Sequence, residues 1–149
     1  MYFELSVLIY RPVPVVFAFF RDKDKLTQEK DSSVAVIEKM TEGSVGRGTR
    51  YREVVQMMPF YREEIRSEIT RYEPEKLIEE CFESGMMYGR LIYLFTAEAD
   101  QTRLTQQEEL SMRGLLIPFQ PFIRRTFLKK LQGRLDGIKK LLEAGWTAP

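Results

Sequence analysis

The sequence predicts an α+β domain in which a curved antiparallel sheet packs against one long C-terminal helix. Residues 33–113 form short stretches of alternating polar and apolar residues, separated by turn signals, and such stretches are typical of strands. After Gly114 the apolar residues change to a helical spacing. Consecutive strands joined by tight turns favour a meander, and helices kept apart from the strands favour the α+β class.

Length and composition indicate one domain, spanning residues 1–149, with one core. The chain has 149 residues and is 44% hydrophobic, which is enough to bury a sizeable core. Its single cysteine, Cys81, excludes an intramolecular disulfide, and we expect it to be a buried small hydrophobe. Neither a signal peptide nor an apolar run of the roughly 18 residues that span a membrane is evident. We therefore expect a cytoplasmic protein without a transmembrane segment.

The charge balance and the missing histidine exclude several classes of function. There are 23 basic and 22 acidic residues, which argues against nucleic acid as a partner. The basic cluster at 124–130 falls on a predicted amphipathic helix, where a solvated face explains it. Without histidine, serine–histidine and cysteine–histidine catalysis are excluded. The commonest ligand of transition metals is also missing, so we expect no metal and no cofactor.

The strands are predicted from alternation and turn residues. The first, 2–10, ends at Pro12, and Pro14 opens a short apolar helix that ends near Phe20. The polar stretch 21–31 is a second helical turn or a loop. The remaining strands are 33–40, 49–58, 61–72, 76–83, 87–98 and 102–113. Segment 76–83 is the ambiguous one, so the sheet has six or seven strands.

The last element is an amphipathic helix from about Pro121 to Glu143, roughly 35 Å long at 1.5 Å per residue. Gly133 and Gly137 lie within it, and we favour tolerated surface positions over a close approach to the sheet or a ligand. A strongly twisted sheet curls around a single helix and touches it along a line. The remaining space between sheet and helix is where an apolar small-molecule cavity is expected.

Several short motifs follow this order. They are Pro14–Val15–Val16–Phe17 after the first strand, Gly46–Arg47–Gly48–Thr49–Arg50–Tyr51, Tyr72–Glu73–Pro74, Thr102–Arg103–Leu104–Thr105 and the terminal helix. Together they resemble the START / polyketide cyclase–dehydrase (SRPBCC) superfamily over nearly the whole chain. The resemblance implies the helix-grip fold with a deep pocket. It also implies a lipid, sterol, polyketide or other hydrophobic ligand, and some members are cyclases or bind proteins.

Three side chains are candidates for acid–base chemistry. Alternation places Glu108, with Gln106, on the same face of the last strand as Leu104, Leu110 and Met112. A buried Glu has a raised pKa and can transfer protons, although pairing with an arginine or a position in water at the pocket mouth is the simpler interpretation. Glu63 is a second inward carboxylate by the same argument. Tyr93 offers a hydroxyl on an apolar body, as core tyrosines also do.

We expect the chain to bind or transport a hydrophobic small molecule, an isoprenoid, lipid or polyketide, for example. The residues expected to line its site are Tyr51, Met57, Tyr61, Ile65, Leu91, Tyr93, Phe95, Gln106, Glu108, Leu110, Met112, Phe119, Phe122 and Ile123. The linker 115–119 is expected to line or gate the pocket, or simply to pack the helix start. The alternatives are a cyclase or dehydratase that uses an inward carboxylate, and a protein-interaction module with a collapsed cavity. The oligomeric state is left open, a homodimer included.

Overall fold

The computed structural model describes residues 1–23 and 34–148. The strands are β1 (Tyr2–Ile9), β2 (Val34–Lys39), β3 (Arg50–Met58), β4 (Tyr61–Glu73), β5 (Leu77–Glu83), β6 (Met87–Glu98) and β7 (Gln101–Met112). The helices are α1 (Val13–Arg21), a 3-10 helix (Gly114–Phe119) and α2 (Gln120–Glu143). These bounds lie within one or two residues of most of those predicted, and segment 76–83 is confirmed as a strand. The proposed second helical turn at 21–31 lies mostly outside the described residues.

All seven strands form one antiparallel sheet in the order β1-β7-β6-β5-β4-β3-β2. Strands β2 to β7 follow one another as a meander, whereas β1 pairs with β7 from Tyr2↔Glu109 to Ile9↔Thr102. Register shifts lie between Val34 and Val36, between Gln56 and Met58, and between Ile69 and Arg71. Each irregularity increases the local twist, and this helps the sheet to curve around α2.

One side of the sheet, here called the inner face, carries the core. Its apolar members include Ile9 in β1, Ile69 in β4, Ile78 in β5, Phe95 in β6 and Leu104 in β7, all of them buried. Helix α1 supplies the aromatic centre of this core. Phe17 packs edge-on against Phe95 with ring centroids 5.1 Å apart, and Phe20 packs against Tyr93 at 4.6 Å.

Helix α2 lies along β1 and buries Leu131, Leu135, Ile138 and Leu142. Two basic side chains fix its C-terminal half to the strand. The Nζ of Lys139 donates to the backbone oxygen of Leu8 at 2.6 Å, and Arg11 donates to the backbone oxygen of Leu142 at 2.6 Å. The remaining inner face, towards β3, β4 and β5, is therefore less covered by the helix.

Gly89 in β6 occupies a position where a side chain cannot fit. It pairs with Phe82 in β5 and Leu110 in β7. A Cβ atom at this position would overlap the backbone oxygen of Glu109 and lie 2.8 Å from the Cζ atom of Phe82. The ring of Phe82 thus covers the space above the glycine.

Substituting Gly89 with Ala is expected to lower the free energy of unfolding by about 2–3 kcal/mol because the strand must shift to accept the methyl group. Urea denaturation measures the effect. Gly133→Ala is the matched control because no other heavy atom lies within 4 Å of the Cβ atom that alanine would add in the middle of α2. This exchange should instead stabilise the helix by up to about 1 kcal/mol. Equal effects of the two substitutions would contradict the packing argument.

One expectation is corrected by the structure, and one segment takes a form that the sequence analysis left open. Cys81 is exposed on β5 rather than buried because its neighbours Ile78 and Glu80, and not Cys81, have the inward phase of that strand. The apolar stretch 115–119 after β7 was expected to line or gate the pocket or to pack the helix start. It forms the 3-10 helix and leaves Leu115, Ile117 and Phe119 exposed.

Candidate functional site

The centre of β7 places two polar side chains in the core. Gln106 is 1% exposed and Glu108 is 6% exposed, between the buried Leu104 and Leu110. The predicted orientation of these four residues agrees with the burial pattern of β7, in which every second residue is buried. The Nε2 atom of Gln106 donates to Oε2 of Glu108 at 3.2 Å. We call these two residues the Gln106–Glu108 pair.

Burial raises the pKa of Glu108 to about 7. The positive charge of Arg134 on α2, the hydrogen bond from Gln106 and the charge of Lys23 each lower this pKa, but together they do not offset the loss of hydration. An arginine partner, foreseen as the simpler interpretation of Glu108, therefore contributes without dominating. Near neutral pH the carboxyl group is divided between its protonated and ionised forms.

The Gln106–Glu108 pair has one unused acceptor. The Oε1 atom of Gln106 is buried and has no hydrogen-bond partner among the residues that the structure describes. A buried polar atom without a partner costs about 1–3 kcal/mol. A molecule bound at this point with a hydroxyl or amide donor would remove that cost.

A second buried polar group, here called the lysine cluster, consists of Lys23, Glu53, Ser67 and Glu80. The Nζ atom of Lys23 lies 2.5 Å from a carboxylate oxygen of Glu53 and 2.5 Å from one of Glu80. It also donates to Oγ of Ser67 at 3.3 Å. Lys23 follows α1, and its side chain contacts residues of β3, β4 and β5 on the inner face.

The lysine cluster stays charged in spite of its burial. Burial lowers the pKa of Lys23, but the carboxylates of Glu80 and Glu53 outweigh it, and the net pKa is raised. The ammonium group also lies 5.3 Å from the centre of the Tyr51 ring, within range of a cation–π interaction. Two carboxylates against one ammonium leave the cluster with a formal negative charge.

Tyr93 connects the two polar groups. It pairs across the strands with Ile78 and with Gln106, and burial raises its pKa. The charges of Arg134 and Lys23 lower that pKa, whereas those of Glu80 and Glu108 raise it. Tyr93 thus interacts electrostatically with both groups, which form one polar zone in an otherwise apolar inner face.

Lys23, Glu53 and Glu80 were missed by the sequence analysis. Alternation within the strands could have revealed the two carboxylates because Glu53 shares a phase with Tyr51 and Glu80 shares a phase with Ile78. The position of Lys23 could not be deduced in this way, since it depends on where the chain leaves α1.

The other predicted site residues are distributed over three environments. Tyr51, Phe95, Leu110 and Met112 are buried in the core. Ile65, Leu91 and Ile123 are half-buried, and Tyr61, Phe119 and Phe122 are exposed. Met57 belongs to β3, but its side chain lies outside the described part of the structure. The predicted set is therefore divided between core, half-buried and exposed positions, with Phe119 and Phe122 among the exposed ones.

Glu63 is buried, as its position in the strand predicts, but its hydrogen bond lies at the end of the sheet, in the β5–β6 turn. One of its oxygens accepts the backbone N–H of Met86 at 2.9 Å. Its other oxygen has no hydrogen-bond partner among the described residues. No described hydrogen bond or ion pair joins Glu63 to Glu108, so an acid–base pair of these two carboxylates finds no support in the contacts.

The surface of the described chain has two recesses that bear on the expected cavity. One, of about 260 Å³, is lined by Glu64, Arg66, Glu83, Ser84, Gly85 and Arg113. The other, of about 30 Å³, is lined by Tyr2, Arg90, Ile92, Gln107, Glu108 and Glu109. Both are lined mainly by charged or polar residues, and neither is the apolar cavity expected between sheet and α2. The half-buried Ile65, Phe82 and Leu91 instead leave an accessible apolar stretch on the inner face.

Residues 1–23 and 34–148 contain no cluster of three acidic or cysteine side chains arranged to hold a metal ion. Over the same residues, no helix has the length and apolar character needed to cross a membrane.

Comparison with known proteins agrees with this architecture. The family model described as "Polyketide cyclase / dehydrase and lipid transport" matches residues 2–143. The chain belongs to this family. Its membership confirms the resemblance to the START / polyketide cyclase superfamily, and the helix-grip arrangement of sheet and helix is the fold expected from it. No curated protein matches the sequence.

Several solved structures share the fold at low sequence identity. A protein from Thermus thermophilus is 16% identical, with a TM-score of 0.79, and the match covers 98% of this chain and 100% of that one. A START superfamily protein from Mycobacterium smegmatis is 11% identical, with a TM-score of 0.77 and coverages of 95% and 98%. The Zhui aromatase/cyclase of a Streptomyces strain is 13% identical, with a TM-score of 0.74 and coverages of 99% and 99%.

Proposed function

We propose that this protein binds an apolar small molecule that carries a hydrogen-bonding group. The buried, unpartnered Oε1 atom of Gln106 is the observation that carries the proposal. The ligand's donor would bond to this oxygen, beside Glu108, while its apolar body would lie on the half-buried Ile65 and Leu91. Family membership supports a hydrophobic ligand as the class.

The polar zone also indicates which ligands would be rejected. A plain hydrocarbon would leave the Oε1 atom of Gln106 without a partner, and a carboxylate ligand would meet the negative charge of the lysine cluster. A neutral ligand with a hydroxyl group satisfies both conditions. Sites that hydrogen-bond a substrate hydroxyl discriminate strongly against analogues that lack it because their own buried polar groups then stay unpaired.

The first experiment is native mass spectrometry of freshly purified protein, followed by extraction of anything bound. Binding is then measured by displacement of 1-anilinonaphthalene-8-sulfonate with decanol, decane and decanoate. We expect decanol to bind at least about tenfold more tightly than either analogue because its hydroxyl group pairs a buried acceptor. Similar affinity for decanol and decane would overturn the proposal.

A pair of substitutions on β7 separates the site from the rest of the sheet. Gln106→Leu should remove the preference for decanol over decane. Gln107→Leu is the matched control because Gln107 is on the opposite side of the same strand, where its Nε2 atom donates to Glu4 at 3.1 Å. The control variant should keep the preference unchanged.

A cyclase or dehydratase is the second candidate function, and the raised pKa of Glu108 favours it. A carboxyl group with a pKa of about 7 can both donate and accept a proton at neutral pH. Tyr93, whose pKa responds to Glu108, is the candidate second group. In this case Glu108→Gln would retain ligand binding and abolish turnover, whereas a pure binding protein would show no turnover to lose.

A further inference from the structure

Exposed apolar side chains are concentrated where the 3-10 helix passes into α2. We call this patch the apolar rim; it consists of Leu115, Ile117, Phe119 and Phe122. Leu115 is 91% exposed, Phe119 60% and Phe122 75%. Large apolar patches of this kind on a protein surface mark interaction sites for proteins or membranes.

A further exposed aromatic residue belongs to the same end of the sheet. Phe60, in the turn between β3 and β4, is fully exposed. Glu63, close to this turn, accepts the backbone N–H of Met86 in the β5–β6 turn. The backbone N–H of Arg113, at the start of the 3-10 helix, donates to the oxygen of Met86 at 2.8 Å. Both turns and the apolar rim therefore lie at one end of the molecule.

The stretch of chain that carries the apolar rim has charged side chains of a single sign. Residues 110–135 contain neither Asp nor Glu, although the whole chain carries only +1. The same stretch contains the basic residues Arg113, Arg124, Arg125, Lys129, Lys130 and Arg134. Arg113 is paired with Glu83, the last residue of β5, at 3.7 Å, so the basic excess of this stretch lies on α2.

Helical geometry places part of this charge beside the apolar rim. Phe122, Arg125 and Lys129 follow one another at steps of three and four, so they share one side of α2. All three are exposed, and that side is opposite the one that buries Leu131 and Leu135. Arg125 and Lys129 therefore lie beside the apolar rim, and we call them its basic border.

We propose that the apolar rim and its basic border dock the protein on an anionic phospholipid membrane. Apolar side chains of a short helix enter the boundary between headgroups and acyl chains, and Lys and Arg beside them are attracted by the negative surface potential. A membrane fits better than a protein partner because a stretch without any acidic residue complements a uniformly negative surface. The proposal concerns the outside of the molecule and does not depend on the ligand of the inner face.

The test is co-sedimentation of the full chain with vesicles of phosphatidylcholine alone and of phosphatidylcholine mixed with phosphatidylglycerol. We expect sedimentation with the mixed vesicles only, and its loss at high salt as the surface charges are screened. Arg125→Glu with Lys129→Glu should weaken the affinity for mixed vesicles by at least about tenfold. Leu115→Ser with Phe119→Ser should also weaken it, by removing the apolar contact.

The matched control is Arg47→Glu with Lys76→Glu, the same change of charge at exposed positions of the opposite end. Arg47 precedes Gly48, whose backbone N–H donates to the backbone oxygen of Ile69 in β4 at 2.8 Å. Lys76 lies in the turn between β4 and β5. The control pair should keep most of the vesicle affinity. Circular dichroism and thermal unfolding establish that each variant is folded, as expected for exposed positions.

Three results would overturn the proposal. One is sedimentation with neither vesicle type or equally with both. Another is an equal loss of affinity in the control pair and in the pair on α2. The third is a dimer in analytical ultracentrifugation that Leu115→Ser with Phe119→Ser converts to a monomer while vesicles are not bound, since the apolar rim would then be an interface between two copies.

Discussion

Replacing Lys23 with Met is expected to lower the free energy of unfolding by about 3–5 kcal/mol, measured by urea denaturation at pH 7. The ammonium group of Lys23 is the counter-ion of both Glu53 and Glu80 in a buried position. Methionine is an unbranched side chain that matches lysine up to its ε-carbon but lacks the charged group. Two carboxylates would then remain in the core without a cation. An uncompensated buried charge is the main cost when one partner of a buried ion pair is removed.

Two controls separate charge from packing. The triple variant Lys23→Met, Glu53→Gln, Glu80→Gln should recover a large part of the loss because no buried charge remains. Lys76→Met, at an exposed position, should change the stability by no more than about 0.5 kcal/mol. If the triple variant is less stable than Lys23→Met alone, charge is not what the lysine cluster contributes.

The second large effect is expected at Glu108, where the substitution to Gln should stabilise the protein at alkaline pH. The folded protein holds the proton of Glu108 up to a pKa of about 7, whereas the unfolded chain releases it near the ordinary value of 4.5. Between these values the folded state binds more protons than the unfolded state, so stability falls as the pH rises through this window. At 1.36 kcal/mol per pH unit, the difference amounts to about 3 kcal/mol.

The measurement compares the free energies of unfolding of the wild type and Glu108→Gln from pH 4 to pH 8. Relative to the wild type, the variant should gain about 3 kcal/mol between pH 4.5 and pH 8, most of it below pH 7. Glu109→Gln is the matched control on the exposed side of β7, where Glu109 pairs with Arg90 at 3.2 Å. Parallel profiles of the wild type and Glu108→Gln would show that the carboxyl group is not held in its protonated form.

A gain in stability on removal of Glu108 would also bear on function. Natural sequences keep a polar group in a core, against the stability that an apolar residue would give, mainly where it serves a site. Perturbed carboxyl groups are enriched at functional sites for the same reason. The lysine cluster and the Gln106–Glu108 pair both depart from the apolar pattern of their strands, which is why they locate the candidate site.

Much of the fold could be predicted because its determinants are local. Alternation in β7 and the helical spacing of Leu131, Leu135, Ile138 and Leu142 need no information beyond a few neighbouring residues. Pro12 and Pro14 likewise mark the start of α1 through the fixed backbone angle of proline. The same local rule assigned Gln106 and Glu108 to the inner face.

What could not be predicted depends on distant parts of the chain. The ion pairs of Lys23 join the end of α1 to β3 and β5, and no periodicity encodes that meeting. Phe119 and Phe122 were expected to line the site, yet Phe119 at the end of the 3-10 helix and Phe122 in the first turn of α2 are both exposed. Cys81 was expected to be buried from its residue type, whereas its phase in β5 exposes it.

The pairing of β1 with β7 has a consequence for the order in which the protein can fold. The N-terminal ammonium of Met1 donates to the backbone oxygen of Leu110, 109 positions away. During synthesis β1 must therefore wait for almost the whole sheet to leave the ribosome before its partner exists. The meander from β2 to β6 can assemble from neighbouring segments, but closing the sheet carries a large loop-closure entropy, and topologies of this kind fold slowly. Until that step is complete α2 has no β1 to lie against, so the polar zone and the apolar core stay open to water together.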